Sequence, residues 1–457
     1  MIDLADIVKA YDVRGLVPQQ LDEAVARAIG AAFVDVIGPR TVVIGRDMRS
    51  SGPALAAAFA DGATTRGADV VDIGLASTDL LYFATGRLGI PGAMFTASHN
   101  PATYNGIKMC RAEAAPIGQE TGLAEIRDRA QHYLDGGEVE AASTSGTMSH
   151  RAVLADYADY LRGLVDLSAI RPLNVVVDAG NGMAGYTVPA VLGRELLPAL
   201  PLRIDPMYFE LDGTFPNHEA NPLEPANLVD LKQRVVDTGA DIGLAFDGDA
   251  DRCFVVDAAG DPVSPSAVTG LVAVRELAKH PGAPIIYNLI TSRAVPEIIT
   301  EHGGQPVRTR VGHSFIKKAM ADSGAVFGGE HSGHYYFRDF WRADTGMLAA
   351  MHVLAALGEQ DGSLADLAAP YERYVDSGEI NSTVADRAER IAALREAFAD
   401  RTTATDELDG LTIDLDGGRW FSVRGSNTEP VLRLNVEAPS QAAMVALRDE
   451  ALAVIRA

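Results

Sequence analysis

The sequence predicts an α/β fold with three similar α/β domains, whose mixed sheets are largely parallel, and a smaller C-terminal α+β domain. Short β-branched runs alternate with longer Ala- and Leu-rich stretches through most of the 457 residues, as in the strand–helix units of parallel sheets. Three apolar runs begin such units, at 41–44 (TVVI), 174–177 (NVVV) and 284–287 (PIIY). They lie roughly 110–130 residues apart, which indicates one domain plan used three times.

The last part of the chain has a different order of elements. After residues 366–380 the pattern becomes helix, strand, turn, strand, helix, through the runs RIAALREAFA, LTIDL, RWFSVRG and VLRLNVEA. Ser440 is the expected N-cap of the terminal helix. The small polar segment 135–149 is expected to connect the first two domains on the surface. We therefore predict domains at 1–148, 149–256, 257–368 and 369–457.

Charge and cysteine content narrow the possible functions. The formal net charge of −23 argues against general binding of nucleic acid or anionic membranes, although a few local cations still suffice for phosphate ligands. Cys110 and Cys253 lie in apolar runs, which predicts buried thiols rather than a disulfide framework. The amino-terminal segment is acidic without an apolar stretch, and no run approaches the ~18–20 apolar residues of a membrane span, so we expect a cytoplasmic protein.

The first chemical motif is AMFTASHNP at 93–101, an apolar run that ends in a polar turn. The Asn-Pro pair favours a turn, so we expect Ser98 on an exposed turn, followed directly by His99. A hydroxyl in such a place can act as a nucleophile or carry phosphate. Taken alone, the motif also fits an ordinary loop with a helix cap.

The second motif is DGDADR at 247–252, between the apolar runs IGLAF and CFVVD. Three carboxylates in one tight turn repel each other unless a cation neutralises them, and hard oxygen ligands suit Mg²⁺. Arg252 follows directly and can bind an anion beside the metal. An EF-hand is excluded because the twelfth position is Ala258 rather than Glu. A solvated acidic loop remains the alternative.

Two further loops carry polar groups suited to a sugar phosphate. GGEHSGH at 328–334 offers carboxylate, hydroxyl and imidazole groups that can bind vicinal hydroxyls. RGSNTEP at 424–430, with Arg433 just after it, offers backbone amides and an arginine for a phosphate. The alternatives are a surface loop and a decorated hairpin turn.

One pattern points elsewhere. The strand at 174–177 leads into Gly180-Asn-Gly182-Met-Ala-Gly185, and Asp205 follows about twenty residues later, as in dinucleotide-binding proteins. This keeps an NAD-dependent oxidoreductase open. Against it, Asp178 at the strand end would repel a pyrophosphate, and the other motifs would stay unexplained.

Together these motifs resemble the α-D-phosphohexomutase superfamily, in its bacterial phosphomannomutase/phosphoglucomutase branch. The resemblance runs from KAYDVRG at 9–15 to RGSNTEP, essentially the whole chain. It implies four domains arranged around a central cleft. It also implies an isomerase that transfers a phosphoryl group within a hexose phosphate.

The resemblance assigns roles to individual residues. Ser98 matches the phosphoserine, and its phosphate completes a magnesium site with Asp247, Asp249 and Asp251. The implied catalytic residues beside Ser98 are Arg14, His99, Lys108 (in YNGIK), Arg252, His313 (in VGHSFIK) and His334. The implied substrate-binding residues are Tyr11, Arg310, Glu330, Ser332, His334, Arg424, Ser426, Asn427, Thr428 and Arg433. One departure is Leu289 in YNLITSR, where some members carry a lysine, and Arg310 is the candidate to supply that charge.

The implied mechanism uses one phosphoryl donor and two acceptor oxygens. Phosphorylated Ser98 gives its group to a hexose monophosphate, and the resulting 1,6-bisphosphate turns over and returns the other phosphate to Ser98. Mg²⁺ and Arg14 stabilise the transferring group. A lysine base needs a lowered pKa, which we expect for Lys108 beside other cations. His334 is the second candidate.

Similar phosphoglucosamine mutases tend to show GEQSGH, RPSGTEP and DGLNIN where this chain has GEHSGH, RGSNTEP and DGTFPNH (212–218). By this resemblance, mannose and glucose phosphates are favoured over glucosamine phosphate. We predict a phosphomannomutase that also acts on glucose phosphates. The alternatives are phosphoglucomutase as the main activity, then phosphoglucosamine mutase, and outside the class the oxidoreductase or a non-catalytic sugar-phosphate-binding protein. The expected cofactors are Mg²⁺ and glucose or mannose 1,6-bisphosphate as activator. The expected partners are small hexose phosphates, with no nucleic acid or membrane, and the expected state is a monomer or weak homodimer.

Overall fold

The computed structural model describes residues 2–425 and 431–457, with the backbone alone at His313. The chain divides into two compact units. The first unit comprises Met1–Val263 and Ser332–Leu367, and the second comprises Ser264–His331 and Ala368–Ala457.

The first sheet belongs to the first unit. Its strands are β1 (Val13–Leu16), β2 (Thr41–Arg46), β3 (Asp69–Leu75), β4 (Gly92–Phe95), β5 (Tyr104–Cys110) and β6 (Met148–His150). Its helices are α1 (Glu23–Ile37), α2 (Gly52–Thr65), α3 (Thr78–Leu88) and α4 (Leu123–Leu134). The strand order is β1-β5-β4-β2-β3-β6. Strands β4, β2, β3 and β6 run parallel, and β5 runs antiparallel to both of its neighbours.

The second sheet also lies in the first unit. Its strands are β7 (Leu173–Asp178), β8 (Leu202–Met207), β9 (Ile242–Phe246), β10 (Cys253–Asp257) and β11 (Pro262–Val263). Its helices are α5 (Leu154–Leu164), α6 (Ala184–Val191) and α7 (Val229–Thr238). The order is β11-β10-β9-β7-β8. Strand β7 is parallel to β8 and β9, whereas β10 is antiparallel to β9 and β11.

The third α/β segment is shared between the units. In the second unit, β12 (Pro284–Asn288) pairs in parallel with β13 (Gln305–Thr309) and β14 (Phe327–Gly329). The accompanying helices are α8 (Pro265–Lys279), α9 (Ala294–Glu301) and α10 (His313–Ser323). In the first unit, β15 (Tyr335–Phe337) pairs antiparallel with β16 (Ala343–Asp344), and α11 (Gly346–Gly358) and α12 (Leu364–Ala368) follow.

The C-terminal part forms a fully antiparallel sheet in the second unit. Its strands are β17 (Val375–Thr383), β18 (Thr402–Asp406), β19 (Leu411–Leu415), β20 (Arg419–Gly425) and β21 (Val431–Ala438), in the order β17-β21-β20-β19-β18. Helices α13 (Arg387–Phe398) and α14 (Gln441–Ile455) contribute Phe398 and Leu447 to one core with Phe421 of the sheet. Ser440 caps α14 as predicted, because its side chain accepts a hydrogen bond from the amide of Ala443.

The repeated domain plan predicted from the apolar runs is confirmed. Strands β2, β7 and β12 contain those runs, and each lies between the two strands that follow it in the chain, in the orders β3-β2-β4, β8-β7-β9 and β13-β12-β14. The apolar runs are continuous because helices cover both faces of such strands, and Val175, Val176 and Val177 are fully buried.

The sequence also predicts buried cysteines and an exposed polar segment at 135–149. Cys110 and Cys253 are buried and form no disulfide, as predicted. The polar segment 135–149 is mostly exposed, and its end enters β6 at the edge of the first sheet. Among the residues that the structure describes, no helix combines the length and apolar character that a membrane crossing requires.

Candidate active site

Ser98 lies in the loop that joins β4 to β5. Its φ of +50° is left-handed, a conformation that residues with a side chain rarely adopt. The amide of Ser98 donates a hydrogen bond to Thr96 Oγ1 over 2.9 Å. The residue is only 4% exposed, so the expectation of an exposed turn is wrong. The exposure differs because the residues that cover this loop come from distant parts of the chain.

The turn between β9 and β10 carries the three predicted carboxylates, those of Asp247, Asp249 and Asp251. All are at most 1% exposed, and they present carboxylate oxygens that lie within 4.8 Å of one another. The Oδ1 atoms of Asp249 and Asp251 are buried without a hydrogen-bond partner among the described residues. Buried carboxylates need hydrogen bonds, ion pairs or a metal; Lys108 and Arg252 supply part of the positive charge, and clustered oxygen donors with spare acceptor capacity fit Mg²⁺. The residues present therefore fit a divalent cation.

The Ser98 hydroxyl meets this cluster directly. Its Oγ donates to Asp247 Oδ2 over 2.8 Å. Arg252 Nε donates to the same Asp247 oxygen over 2.8 Å, and Arg252 Nη2 lies 3.5 Å from Ser98 Oγ. A Cβ atom on Gly248 would lie 2.4 Å from the carbonyl oxygen of Ser98. Glycine at 248 therefore permits the two loops to touch.

Lys108, on β5, lies against the same turn. Its Nζ donates to Asp249 Oδ2 over 2.7 Å and to Asp251 Oδ2 over 2.6 Å. Burial alone would lower the pKa of Lys108, but the two carboxylates outweigh it and raise that pKa. The expectation that neighbouring cations lower the pKa of Lys108 is wrong, because the groups in contact with its ammonium are acidic.

His99 and Arg14 flank the Ser98 loop. Arg252 Nη2 donates to His99 Nδ1 over 2.5 Å, and burial together with the Arg252 charge lowers the pKa of His99 to about 2. His99 is therefore neutral. Arg14, on β1, donates to Asn100 Oδ1 over 2.6 Å and to Asp12 Oδ2 over 2.5 Å. Tyr11 is half-buried just before this strand.

The end of the GGEHSGH loop lies beside the carboxylate turn within the first unit. The backbones of Arg252 and His334 form a β-bridge. His334 Nε2 lies 3.6 Å from Asp251 Oδ1, and His334 Nδ1 lies 3.0 Å from Ser332 Oγ. The structure therefore brings the predicted imidazole and hydroxyl to the carboxylate turn.

The remaining predicted residues lie in the second unit. Glu330 is buried and accepts hydrogen bonds of 3.2 Å from Asn288 Nδ2 and from the amide of Gly312. The guanidinium of Arg310 is exposed and lies 4.9 Å from the centre of the Phe315 ring. Leu289, the departure from the family pattern, is buried in this unit.

Arg424 is the penultimate residue of β20 in the second unit and is 7% exposed. Burial lowers its pKa, and the carboxylates of Glu379 and Asp409 oppose that shift, with Glu330 at longer range. Its Nη2 donates to Glu379 Oε2 over 2.9 Å. Arg433 Nη1 lies 3.5 Å from the same carboxylate. The predicted Ser426, Asn427, Thr428 and the side chain of His313 lie outside the described residues.

Sequence reasoning missed three residues that support the site. Thr78 Oγ1 donates to Asp249 Oδ2 over 2.6 Å, and its helix-start position was the one available signal. Asp47 and Arg49 follow β2 in GRDMRSS, where both are buried. Burial raises the pKa of Asp47 to about 6, and Arg49 contacts the backbone of the Ser98 loop. Nothing in their local sequence shows these distant contacts.

The dinucleotide-like glycines have a packing explanation. A Cβ atom on Gly182 would lie 2.7 Å from the carbonyl oxygen of Gly248, and one on Gly185 would lie 2.2 Å from that of Phe209. Asp178 accepts hydrogen bonds from the amide of Gly180 and from His218 Nε2. Gly182 thus permits close packing against the carboxylate turn and Gly185 against the backbone of Phe209, so the oxidoreductase alternative loses its main support.

Comparison with known proteins matches four successive parts of the chain to domain families. The sequence matches the domain families described as phosphoglucomutase/phosphomannomutase alpha/beta/alpha domain I at 5–135, domain II at 155–260 and domain III at 265–374, and as the C-terminal domain at 379–454. The chain is 40% identical over 448 residues to a phosphomannomutase of Salmonella typhimurium, covering 97% of each protein.

Two further relatives agree. A Xanthomonas campestris protein named phosphohexose mutases is 41% identical over 446 residues, with 97% of each chain covered. The crystal structure of a phosphoglucomutase/phosphomannomutase family protein from Burkholderia thailandensis superposes with a TM-score of 0.89 at 33% identity, covering 100% of this chain and 98% of that one. The chain therefore belongs to the phosphoglucomutase/phosphomannomutase family.

Proposed function

We propose that this protein interconverts mannose 6-phosphate and mannose 1-phosphate through a phosphoserine at Ser98 and a 1,6-bisphosphate intermediate, and that it also acts on glucose phosphates. The observation that carries the proposal is the 2.8 Å contact between Ser98 Oγ and Asp247 in a buried cluster of three carboxylates. A serine hydroxyl beside a cation site is suited to hold and transfer a phosphoryl group.

The three carboxylates would hold Mg²⁺ together with the phosphate on Ser98. When bound, this cation neutralises charge on the transferring phosphoryl group. Thr78 donates a hydrogen bond to Asp249, and Arg252 donates one to Asp247, so these neighbours orient the two carboxylates. These contacts hold the carboxylate oxygens towards one another and towards Ser98.

The first transfer forms a bond between a sugar oxygen and phosphorus and breaks the bond between phosphorus and Ser98 Oγ. The hydroxyl proton of the sugar must leave, and Ser98 Oγ becomes an alkoxide that is stabilised by positive charge. Arg252, 3.5 Å from Ser98 Oγ, is placed to supply that charge. In this proposal His334 takes up the sugar proton, and Lys108 remains a protonated cation beside Asp249 and Asp251. Arg14 and neutral His99 flank the loop that carries Ser98.

We assign recognition of the sugar and its second phosphate to the substrate-binding residues that the family resemblance implies. Glu330, Ser332 and His334 would contact hydroxyl groups, and Arg424 with 426–428 would hold the phosphate that is not being transferred. Arg424 is buried and close to Glu379, so a phosphate would take over as its charged acceptor. Arg310 and Tyr11 complete the proposed substrate contacts.

Mannose is placed first because several relatives, including the Salmonella protein, carry the name phosphomannomutase. Phosphoglucomutase is the second candidate because the matching domain families are described by both activities. Glucose or mannose 1,6-bisphosphate is the proposed activator. We also propose that the protein is cytoplasmic and is a monomer or weak homodimer. The proposed domain limits are 1–148, 149–256, 257–368 and 369–457.

Phosphorus NMR of the purified protein tests this function. The protein is incubated with Mg²⁺, a trace of glucose 1,6-bisphosphate and, separately, mannose 6-, glucose 6- and glucosamine 6-phosphate. We expect a sugar 1-phosphate signal to grow fastest with mannose, then glucose. A faster glucosamine reaction would contradict the specificity, and no signal with any sugar would contradict the function.

A further inference from the structure

Arg49 is a buried arginine that contacts the backbone of the Ser98 loop. It is 2% exposed. Its Nη2 donates to the carbonyl oxygens of Ser98 and Asn100 over 2.9 and 2.6 Å. Its Nη1 donates to those of Pro101 and Tyr104 over 2.9 and 2.8 Å. One guanidinium therefore fixes four carbonyl groups along the connection from β4 to β5.

The Arg49 guanidinium divides its hydrogen bonds between a carboxylate and the loop. A buried arginine normally pairs with a carboxylate, and Arg49 does so through Nε, which lies 3.3 Å from Asp47 Oδ2. The other donors all serve the loop. Phe215, from the segment 212–218, lies with its ring centre 5.1 Å from the guanidinium carbon, and a Cβ atom on Gly213 would lie 2.7 Å from Arg49 Cα. The segment 212–218 therefore packs against both the backbone and the guanidinium of Arg49.

The loop needs such support because Ser98 has a left-handed backbone with φ of +50°. Residues held in that region persist where their surroundings over-determine them. The conformation aims Ser98 Oγ at Asp247, 2.8 Å away. Phosphoryl transfer depends on placing the reacting oxygen accurately, so a change in the loop backbone would move the hydroxyl away from the carboxylates.

We propose that Arg49 is a positioning residue for phosphoryl transfer, which fixes the Ser98 backbone so that Oγ faces the carboxylate turn. This inference rests on the proposed role of Ser98. A residue with a purely structural role would affect the stability of the fold and leave turnover by the folded enzyme unchanged. A positioning residue lowers kcat in an enzyme that is still folded.

The test uses Arg49→Lys, Arg49→Met and Arg49→Ala in the full chain, with Arg40→Met as a control for loss of an exposed arginine in the same domain. Lysine keeps the charge but donates from a single nitrogen and cannot reach four carbonyls in two directions. We expect kcat for mannose 6-phosphate to fall on the order of 100-fold in Arg49→Lys and Arg49→Met. KM should change much less, because Arg49 contacts the loop and not the sugar groups. Guanidinium ion should restore part of the kcat of Arg49→Ala.

The inference is overturned if Arg49→Lys melts at a lower temperature but keeps the wild-type kcat, or if guanidinium ion leaves the folded Arg49→Ala variant as slow as before. If Arg49→Met does not fold, Arg49→Lys decides the question by the same criterion. Failure of the proposed function looks different: the wild-type protein itself would form no sugar 1-phosphate and would take no phosphate on Ser98 from glucose 1,6-bisphosphate.

Discussion

The Ser98 hydroxyl lies close to both the carboxylate of Asp247 and the guanidinium of Arg252. Its Oγ donates to Asp247, and Arg252 binds the same carboxylate while lying 3.5 Å from the hydroxyl. The sequence predicts these residues through the resemblance of the Ser98 motif and the triple-aspartate turn to a known family, because each motif taken alone also fits an ordinary loop. It does not predict the burial of Ser98 or the acidic surroundings of Lys108. Those properties come from tertiary contacts between β4, β5 and the β9–β10 turn.

Arg424 offers a test of recognition by one residue. We expect Arg424→Ala to raise KM for mannose 6-phosphate about 10–100-fold, the usual value of a hydrogen bond to a charged group, with a smaller change in kcat. The reason is that Arg424 would bind the phosphate that does not react. Steady-state kinetics measure both constants.

The matched control for this test is Arg419→Ala, at the start of the same strand, where the side chain donates to the carbonyl of Asp416. It should behave as wild type. If KM and kcat/KM of Arg424→Ala stay near the wild-type values, Arg424 does not hold the substrate phosphate.

At the scale of elements, three helices meet at one buried carboxylate. Asp79, in the first turn of α3, accepts hydrogen bonds from Tyr157 of α5 and from Thr345, the N-cap of α11, each over 2.6 Å. Ser77, the N-cap of α3, also donates to it. Because Thr78 in the same turn contacts Asp249, this network holds the start of α3 against the carboxylate turn. Helix patterns in the sequence predict each element, but not that their ends share one acceptor.

The Asp79 network predicts a pH dependence of stability. Burial raises the pKa of Asp79 to about 6 from an ordinary 3.8, despite the three donors. The folded protein therefore holds this proton more tightly than the unfolded chain, and the unfolding free energy falls as pH rises between those two values. From pH 5 to 7.5, wild type should lose about 1–1.5 kcal/mol relative to Asp79→Asn.

Chemical unfolding of both proteins across this pH range measures the difference. Asp156→Asn removes an exposed carboxylate from α5 and serves as the control; its difference from wild type should change little with pH. A wild-type protein that gains stability relative to Asp79→Asn as pH rises would show that the donors, rather than burial, dominate at Asp79.

At the scale of the molecule, the repeated plan was predictable and the division into units was not. Central strands such as β7 contain a continuous apolar run, here 175–177, because that part of the strand is buried on both faces. Three such runs occur in the sequence. The C-terminal strands β19, β20 and β21 match the predicted runs closely. By contrast, Ser332–Leu367 joins the first compact unit and not the second. That assignment depends on long-range packing, such as Gly346 against the backbone of Arg252, which no local pattern records.

The central claim is that Ser98 carries the phosphoryl group, and the most direct measurement is to locate that group. Wild type, Ser98→Ala and the control Ser149→Ala are incubated with Mg²⁺ and glucose 1,6-bisphosphate, and the phosphate is mapped by mass spectrometry of the digested protein. We expect one phosphate on Ser98 in wild type and in Ser149→Ala, none in Ser98→Ala, and a loss of turnover of at least about 1,000-fold in Ser98→Ala alone. Phosphate on another residue, or near-normal turnover by Ser98→Ala, would contradict the account.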